Sequence, residues 1–271
     1  MSTSLVREYY STQVLQEWRR LVRDAYHRLE LDTSMYFLEK YLPKTGLILE
    51  AGSGPGRYTV ELARRGYTLN VLDLAPAFLK FARRQVNKAR LTAKVREFRE
   101  RSITNLSAYP TNSFDAVISL GGPLSHVVDK QARDQAVREL IRVAKPGAPI
   151  FVSVMSRLSV MVVELMLFQP EISTEIHRQI RDTGDYHGGF GFTACHFFLP
   201  EELHGTFESP GVKILELAGL EGLGSNHKKK INELSKDKKH WQNWLTTHYK
   251  TCTHPAVVGL SEHMLIVVRK N

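Results

Sequence analysis

Residues 47–66 read LILEAGSGPGRYTVELARRG, and this stretch decides how the rest of the chain is arranged. An apolar run ending in Glu50 meets three closely spaced glycines, and an amphipathic segment follows at once. The order is strand, tight loop, helix. Gly52, Gly54 and Gly56 remove the Cβ from alternate positions, so the backbone can turn sharply and a ligand can lie against bare peptide groups. The helix expected from Arg57 points its unpaired N–H groups into the same space.

Spacing narrows the ligand. A pyrophosphate-binding dinucleotide loop asks for G-x-G-x-x-G, whereas this loop is G-x-G-x-G with Arg57 where the last glycine would fall. A second apolar strand around Tyr67 to Leu72 ends in Asp73, roughly the offset at which an acidic side chain grips a ribose. Thus a ribose grip is kept and the phosphate grip is altered, which counts against a nicotinamide-dependent oxidoreductase.

Further along, the chain keeps alternating strand and helix. Ala75-Pro76 opens a helix with Phe78, Phe81, Ala82 and Val86 on one face, and a third strand falls within Lys94 to Glu100. A fourth strand, Ala116 to Leu120, opens into Gly121-Gly122-Pro123. A helix over Gln131 to Val143 leads through Lys145-Pro146-Gly147 to a buried fifth strand, Pro149 to Met155. Such alternation is the mark of a doubly wound parallel sheet, in which ligands collect at the carboxyl ends of the strands. The ends at Glu50, Asp73 and Leu120 are therefore expected to share one crevice.

Before the first strand, Val14, Trp18, Leu21, Val22, Ala25 and Leu29 recur at helical spacing. A second helix is predicted from Thr33 or Ser34 to its stop at Pro43. After the fifth strand, residues 156–210 break the rhythm with an apolar helical run, the glycine-rich DYHGGFGF, and ACHFFLPEEL. The sixth and seventh strands are placed at Lys213 to Leu217 and His263 to Val268.

The segments LILEAGSGPG, VLDL, RSITNL, SFDAVISLGGPLSHV, RVAKPGAPIFVSV and HMLIVVRK, in that order, resemble the class I S-adenosylmethionine-dependent methyltransferases, most closely their small-molecule, type 11-like branch. The resemblance implies a Rossmann-like α/β fold with a doubly wound seven-stranded sheet whose last strand is antiparallel. It also implies a single domain over 1–271: a helical N-terminal cap at 1–45, a cofactor-binding core at 46–155, a substrate-cap insertion at 156–210, and C-terminal strands at 211–271. The implied cofactor is S-adenosyl-L-methionine. Gly52, Ser53, Gly54 and Gly56 would lie under its methionine part, Glu50 would orient its ammonium directly or through water, and Asp73 would hold the ribose hydroxyls. Leu74 and Ile103 would flank the adenine, and Leu120 with Gly121 would approach the sulfur. At Ser102 the family commonly has an aspartate that accepts from the adenine amino group; serine is shorter and uncharged.

Methyl transfer from a sulfonium is an in-line displacement on an already activated donor. The protein has to align the nucleophile, exclude water and, for a hydroxyl or ammonium acceptor, remove a proton. His126, just after the ligand-facing end of the fourth strand, is the candidate general base, with a packing or helix-start role as the alternative. Tyr9, Tyr10, His187 and His196 are candidate acceptor-binding residues. Tyr9, Tyr10, Trp18, Tyr26 and Tyr36 together are either lid residues or half-buried aromatics at the helix–domain seam.

Composition bounds the partners. The formal charge of +9 favours anionic partners without choosing among them. Six lysines within residues 228–239 form a solvated helix face offset by Glu233 and Asp237, or else a contact for RNA or an acidic partner. The loop after the fourth strand lacks the Asp/Asn-Pro-Pro-aromatic motif of base-amino methylases, so a small-molecule acceptor is preferred to nucleic acid. A non-catalytic cofactor-binding subunit is the remaining alternative. Cys195 and Cys252 have no spaced partner for zinc or redox chemistry, so no metal is expected. The longest apolar stretch, Leu158 to Phe168, is broken by Glu164 and too short to span a bilayer, and with no secretory leader at the start a cytoplasmic location is expected.

Overall fold

The computed structural model describes residues 2–189 and 191–271. Met1 and Phe190, the latter within the glycine-rich DYHGGFGF, lie outside the described residues. Seven strands form one sheet: β1 (Leu47–Ala51), β2 (Thr68–Asp73), β3 (Val95–Glu100), β4 (Ala116–Ser119), β5 (Pro149–Met155), β8 (Val212–Gly219) and β9 (His263–Lys270). A separate two-stranded ribbon pairs β6 (Asp185–Tyr186) with β7 (Cys195–His196). The order in the large sheet is β3-β2-β1-β4-β5-β9-β8, with β9 antiparallel to both β5 and β8. The chain runs outward from β1 to β3 and then returns to the other side of β1 with β4. The switch point is therefore between β1 and β4.

Both faces of the sheet are covered, and consecutive residues divide between two cores. Ile48, Val71, Ile118 and Phe151 belong to one apolar cluster, Leu49, Leu72, Val117 and Val152 to the other. This is why the central strands read as continuous apolar runs rather than as alternating ones. Each such side chain, fully buried, stabilises by roughly 1.5–3 kcal/mol.

The helices are α1 (Ser2–Thr12), α2 (Val14–Arg20), α3 (Ala25–Tyr41), α4 (Arg57–Arg64), α5 (Pro76–Lys88), α6 (Lys130–Val143), α7 (Arg157–Leu167), α8 (Glu175–Thr183), α9 (Pro200–Phe207), α10 (Lys228–Leu234), α11 (Lys238–Thr251) and α12 (Pro255–Val258). The helical preface differs in its divisions from the sequence expectation. The stripe from Val14 to Leu29 does not lie on one helix, because the Asp24 carboxylate accepts from the His27 N–H at 3.0 Å and caps a new helix there. That new helix then runs through Thr33 and Ser34, where a start was predicted. It ends at Tyr41, with Leu42 extended ahead of Pro43.

One contact set fastens α2 to the glycine-loop helix. The Arg57 guanidinium lies 3.7 Å from the Trp18 ring centroid and donates to the Trp18 carbonyl at 2.6 Å. Arg57, the residue that breaks the dinucleotide pattern, is thus the anchor of the cap.

Within the insertion, His196 is fixed on both sides, its Nδ1 2.6 Å from Asp185 and its Nε2 2.7 Å from Glu202. The six lysines of the 228–239 segment are all exposed. Lys230 pairs with Glu233 at 3.4 Å, and Asp237, between Lys236 and Lys238, also caps α11 by accepting from the His240 N–H.

Candidate functional site

The glycine loop turns where only glycine is comfortable. Gly52 sits at φ +85° and a Cβ there would lie 2.4 Å from Pro123. Gly56 sits at φ +86°, and its Cβ would lie 2.7 Å from Ala82 of α5. The loop is held to β2, since the Gly52 and Ser53 N–H groups donate to the Leu72 carbonyl at 2.9 and 3.0 Å. Beside it, the Asp73 carboxylate accepts from the Gly54 N–H and the Ala75 N–H, both at 2.8 Å. These backbone donors use part, not all, of its lone-pair capacity. Burial raises the Asp73 pKa to about 6 even though these N–H groups favour the ionised form.

A cavity of about 250 Å³ lies over this loop, walled by Gly52, Ser53, Gly54, Asp73, Leu74, Ser102, Ile103, Leu120 and Gly121. The sequence-predicted strand ends are thus brought together, apart from Glu50, which stands behind the wall. Its Oε2 accepts from the Thr59 hydroxyl at 2.5 Å, and its Oε1 has no hydrogen-bond partner among the described residues. Burial raises its pKa to about 8, and the Asp73 carboxylate adds to the rise. Ser102 lines the cavity, but its hydroxyl is engaged at 2.8 Å with that of Thr104.

A second cavity, of about 530 Å³, adjoins the first and lies under the insertion. The two share Tyr10, Glu17, Arg20, Gly121 and His126. At this partition the His126 Nδ1 is 3.1 Å from the Ala194 carbonyl and its Nε2 is 2.7 Å from the Tyr10 Oη. A carbonyl can only accept, so the proton sits on Nδ1 and Nε2 accepts from the tyrosine. Burial lowers the His126 pKa to about 4, which leaves the ring neutral at pH 7.

The remaining candidates separate. Tyr9 lines the second cavity and reaches the Gly191 carbonyl, closing α1 against the glycine-rich loop. His187 is exposed and His196 is locked between its two carboxylates, and neither lines either cavity. Of the other preface aromatics, Tyr26 is buried with its hydroxyl on Glu262, and Tyr36 stacks on Tyr249.

Sequence reasoning missed a buried charge cluster on the wall of the second cavity. Arg20 holds Glu30 through both terminal nitrogens and Glu17 through Nε at 3.0 Å. His263, the first residue of β9, places its Nδ1 2.9 Å from Glu221 and 3.7 Å from Glu30. Burial opposes its charge, but the two carboxylates outweigh that and raise its pKa to about 9. Donor atoms of Glu30, Glu221 and His263 lie within 4.8 Å of one another. Arg20 already engages Glu30, and Ser261 donates to Glu221 at 2.8 Å, so these carboxylates have partners within the protein. The one signal in the sequence was a histidine opening an otherwise apolar strand.

Comparison with known proteins gives the following. A family model described as a methyltransferase domain matches residues 48–147. A ubiquinone biosynthesis O-methyltransferase of Xanthomonas oryzae pv. oryzae is 34% identical over 110 residues, which cover 41% of this chain and 43% of the relative. The chain therefore spans less than half the length of the first curated relatives that it matches. Among solved structures, a SAM-dependent methyltransferase from Methanosarcina mazei superposes with a TM-score of 0.60 at 18% identity, covering 86% of this chain and 96% of the other. The Burkholderia thailandensis 1,6-didemethyltoxoflavin-N1-methyltransferase, solved with its acceptor and S-adenosylhomocysteine, gives 0.58 at 14% identity, covering 99% and 88%. At these identities the structures are alike in fold.

Proposed function

We propose that this chain, which carries a class I S-adenosylmethionine-dependent methyltransferase domain, transfers a methyl group from S-adenosylmethionine to a small-molecule acceptor. One observation carries the reading: the cavity over the glycine loop and the larger cavity under the insertion share Tyr10, Gly121 and His126 as wall residues, so an acceptor in the second would lie next to a cofactor in the first. The names of the relatives point to oxygen as the first acceptor atom to try.

The residues present fit the cofactor. Beneath the loop, Glu50 has an unpartnered buried oxygen suited to an ammonium group. Asp73 has lone pairs for ribose hydroxyls, and Gly54 faces open space in which a Cβ would meet nothing within 4 Å. Leu74 and Ile103 offer apolar surface to the adenine, and Gly121 leaves the sulfonium side uncrowded. When bound, the cofactor supplies an electrophilic methyl group. Tyr10 and His126 then set the acceptor against it and exclude water, and a proton lost by the acceptor passes to the Tyr10–His126 pair.

RNA methylation has less support, because none of the six lysines lines either cavity. Among the described residues no helix is long and apolar enough to cross a membrane. The deciding experiment is calorimetric titration with S-adenosylmethionine and S-adenosylhomocysteine, with NAD and Asp73→Ala alongside. Micromolar binding lost in Asp73→Ala and absent for NAD is the expected result. No binding of either adenosyl ligand to folded, ligand-free protein would remove the proposal.

A further inference from the structure

The second cavity contains a polar group that nothing in the proposed transfer uses. Glu164 of α7 is 3% exposed and lines this cavity among Val160, Val163, Phe168 and Ile180. Its Oε2 lies 2.8 Å from the Nδ1 of His177 on α8, and its Oε1 has no hydrogen-bond partner among the described residues. Leaving a buried carboxylate oxygen unpaired costs on the order of 1–3 kcal/mol or more, a cost that a ligand donor would remove. Leucine or methionine would fill an apolar wall at that position without it.

The position of Glu164 sets the shape of what binds. The start of α7 is tied to the cavity partition, because the Ser125 hydroxyl, next to His126, accepts from the Met155 N–H at 3.0 Å, one residue before the helix cap Ser156. Glu164 lies eight residues beyond Ser156, about 12 Å along the helix at 1.5 Å per residue. Between the two ends α7 lines the cavity with Val160 and Val163, while Arg20, Arg23, Glu262 and His263 line it from other elements.

We propose that Glu164 is the specificity residue of the acceptor pocket, and that the acceptor is an amphipathic small molecule with two polar ends. One end presents the methylated atom at Tyr10 and His126. The other carries a hydroxyl or amine that donates to Glu164 Oε1, with an apolar segment lying along Val160 and Val163 between them. Glu164 touches the ligand away from the reacting atoms, so it acts on affinity and choice of acceptor rather than on the transfer itself. The inference rests on the assignment of the second cavity as the acceptor pocket.

The test uses three probes with one apolar body: 3-phenylpropylamine, 3-phenylpropan-1-ol and propylbenzene. Each is titrated into the full chain with and without S-adenosylhomocysteine. The amine or the alcohol is expected to bind at least about tenfold tighter than the hydrocarbon, the worth of one hydrogen bond to a charged group. Glu164→Leu abolishes that preference, and Glu164→Gln, the isosteric variant that serves if the leucine protein does not fold, keeps it for the alcohol and reduces it for the amine. Equal affinities for all three probes, a preference unchanged in either variant, or no binding of any probe would overturn the inference. Failure of S-adenosylhomocysteine alone to bind would count against the cofactor assignment. The probe preference measured without it would still judge Glu164.

Discussion

The Tyr10 hydroxyl and the His126 Nε2 lie 2.7 Å apart, although the two residues are separated by more than a hundred positions and come from α1 and from the turn after β4. This single bond joins the helical preface to the sheet at the wall between the two cavities. It also commits the only lone pair of the neutral imidazole, so a proton that reached the histidine from a ligand would have to pass through the tyrosine.

The first prediction follows from that bond. Replacing His126 by alanine is expected to lower turnover on a true acceptor by about 10²- to 10⁴-fold, the usual worth of a positioned proton acceptor. With the His126 pKa near 4, its ionisation should leave no acid limb in the rate between pH 5 and 8. Steady-state rates of wild type and His126→Ala across that range check this. Equal rates would assign His126 to packing.

Cofactor binding should release protons. Glu50 and Asp73 titrate near pH 8 and pH 6 in the unliganded protein, and an ammonium or a hydroxyl donor favours their ionised forms. Affinity for S-adenosylhomocysteine should therefore weaken as pH falls from 8 to 5, by at most about tenfold per pH unit for each linked proton. Calorimetry in two buffers of different ionisation enthalpy reads the released protons directly, and Glu50→Gln should remove the component above pH 6.

His263 makes stability depend on pH in the opposite region from an ordinary acid-labile carboxylate. Its folded pKa, about 9, lies above the ordinary histidine value of 6.5. The stability it contributes is fully present below about pH 6.5 and is lost as pH rises through 9. The denaturation midpoint of wild type relative to His263→Gln should accordingly be greater at pH 6 than at pH 9.5. No change in that difference between the two pH values would mean that the imidazolium is not held by Glu30 and Glu221.

Two glycines of one loop should fail in different ways. At Gly52 an added methyl group meets Pro123 at 2.4 Å, so Gly52→Ala is expected to unfold or grossly destabilise the protein. At Gly54 it meets nothing within 4 Å, and the left-handed backbone costs only about 1–2 kcal/mol. Gly54→Ala should therefore stay folded yet lose most of its affinity for S-adenosylhomocysteine. Thermal melts and calorimetry on the two variants separate the effects.

The sheet and the cavity over the glycine loop were legible in the sequence because strand and helix alternate from Leu47 to Met155, and the end of a parallel strand fixes where its last residue stands. Asp73, Ile103 and Gly121 needed little more than that. The break at Asp24 was hidden because an apolar stripe runs through it, although aspartate before a helical segment is itself a start signal. The acceptor side was opaque for a different reason. Arg20, Glu164 and His263 come from three separate parts of the chain, and no local period records that they meet around one space. His196 misled because its two carboxylate partners are visible only when β6, β7 and α9 are folded together.

Val6 and Tyr10 wall the first cavity, and Tyr9 and Tyr10 wall the second, all from the eleven residues of α1. One short helix is thus a shared door for two rooms. Displacing α1 would widen both cavities at once, so a ligand that packs against it from either one should slow exchange from the other.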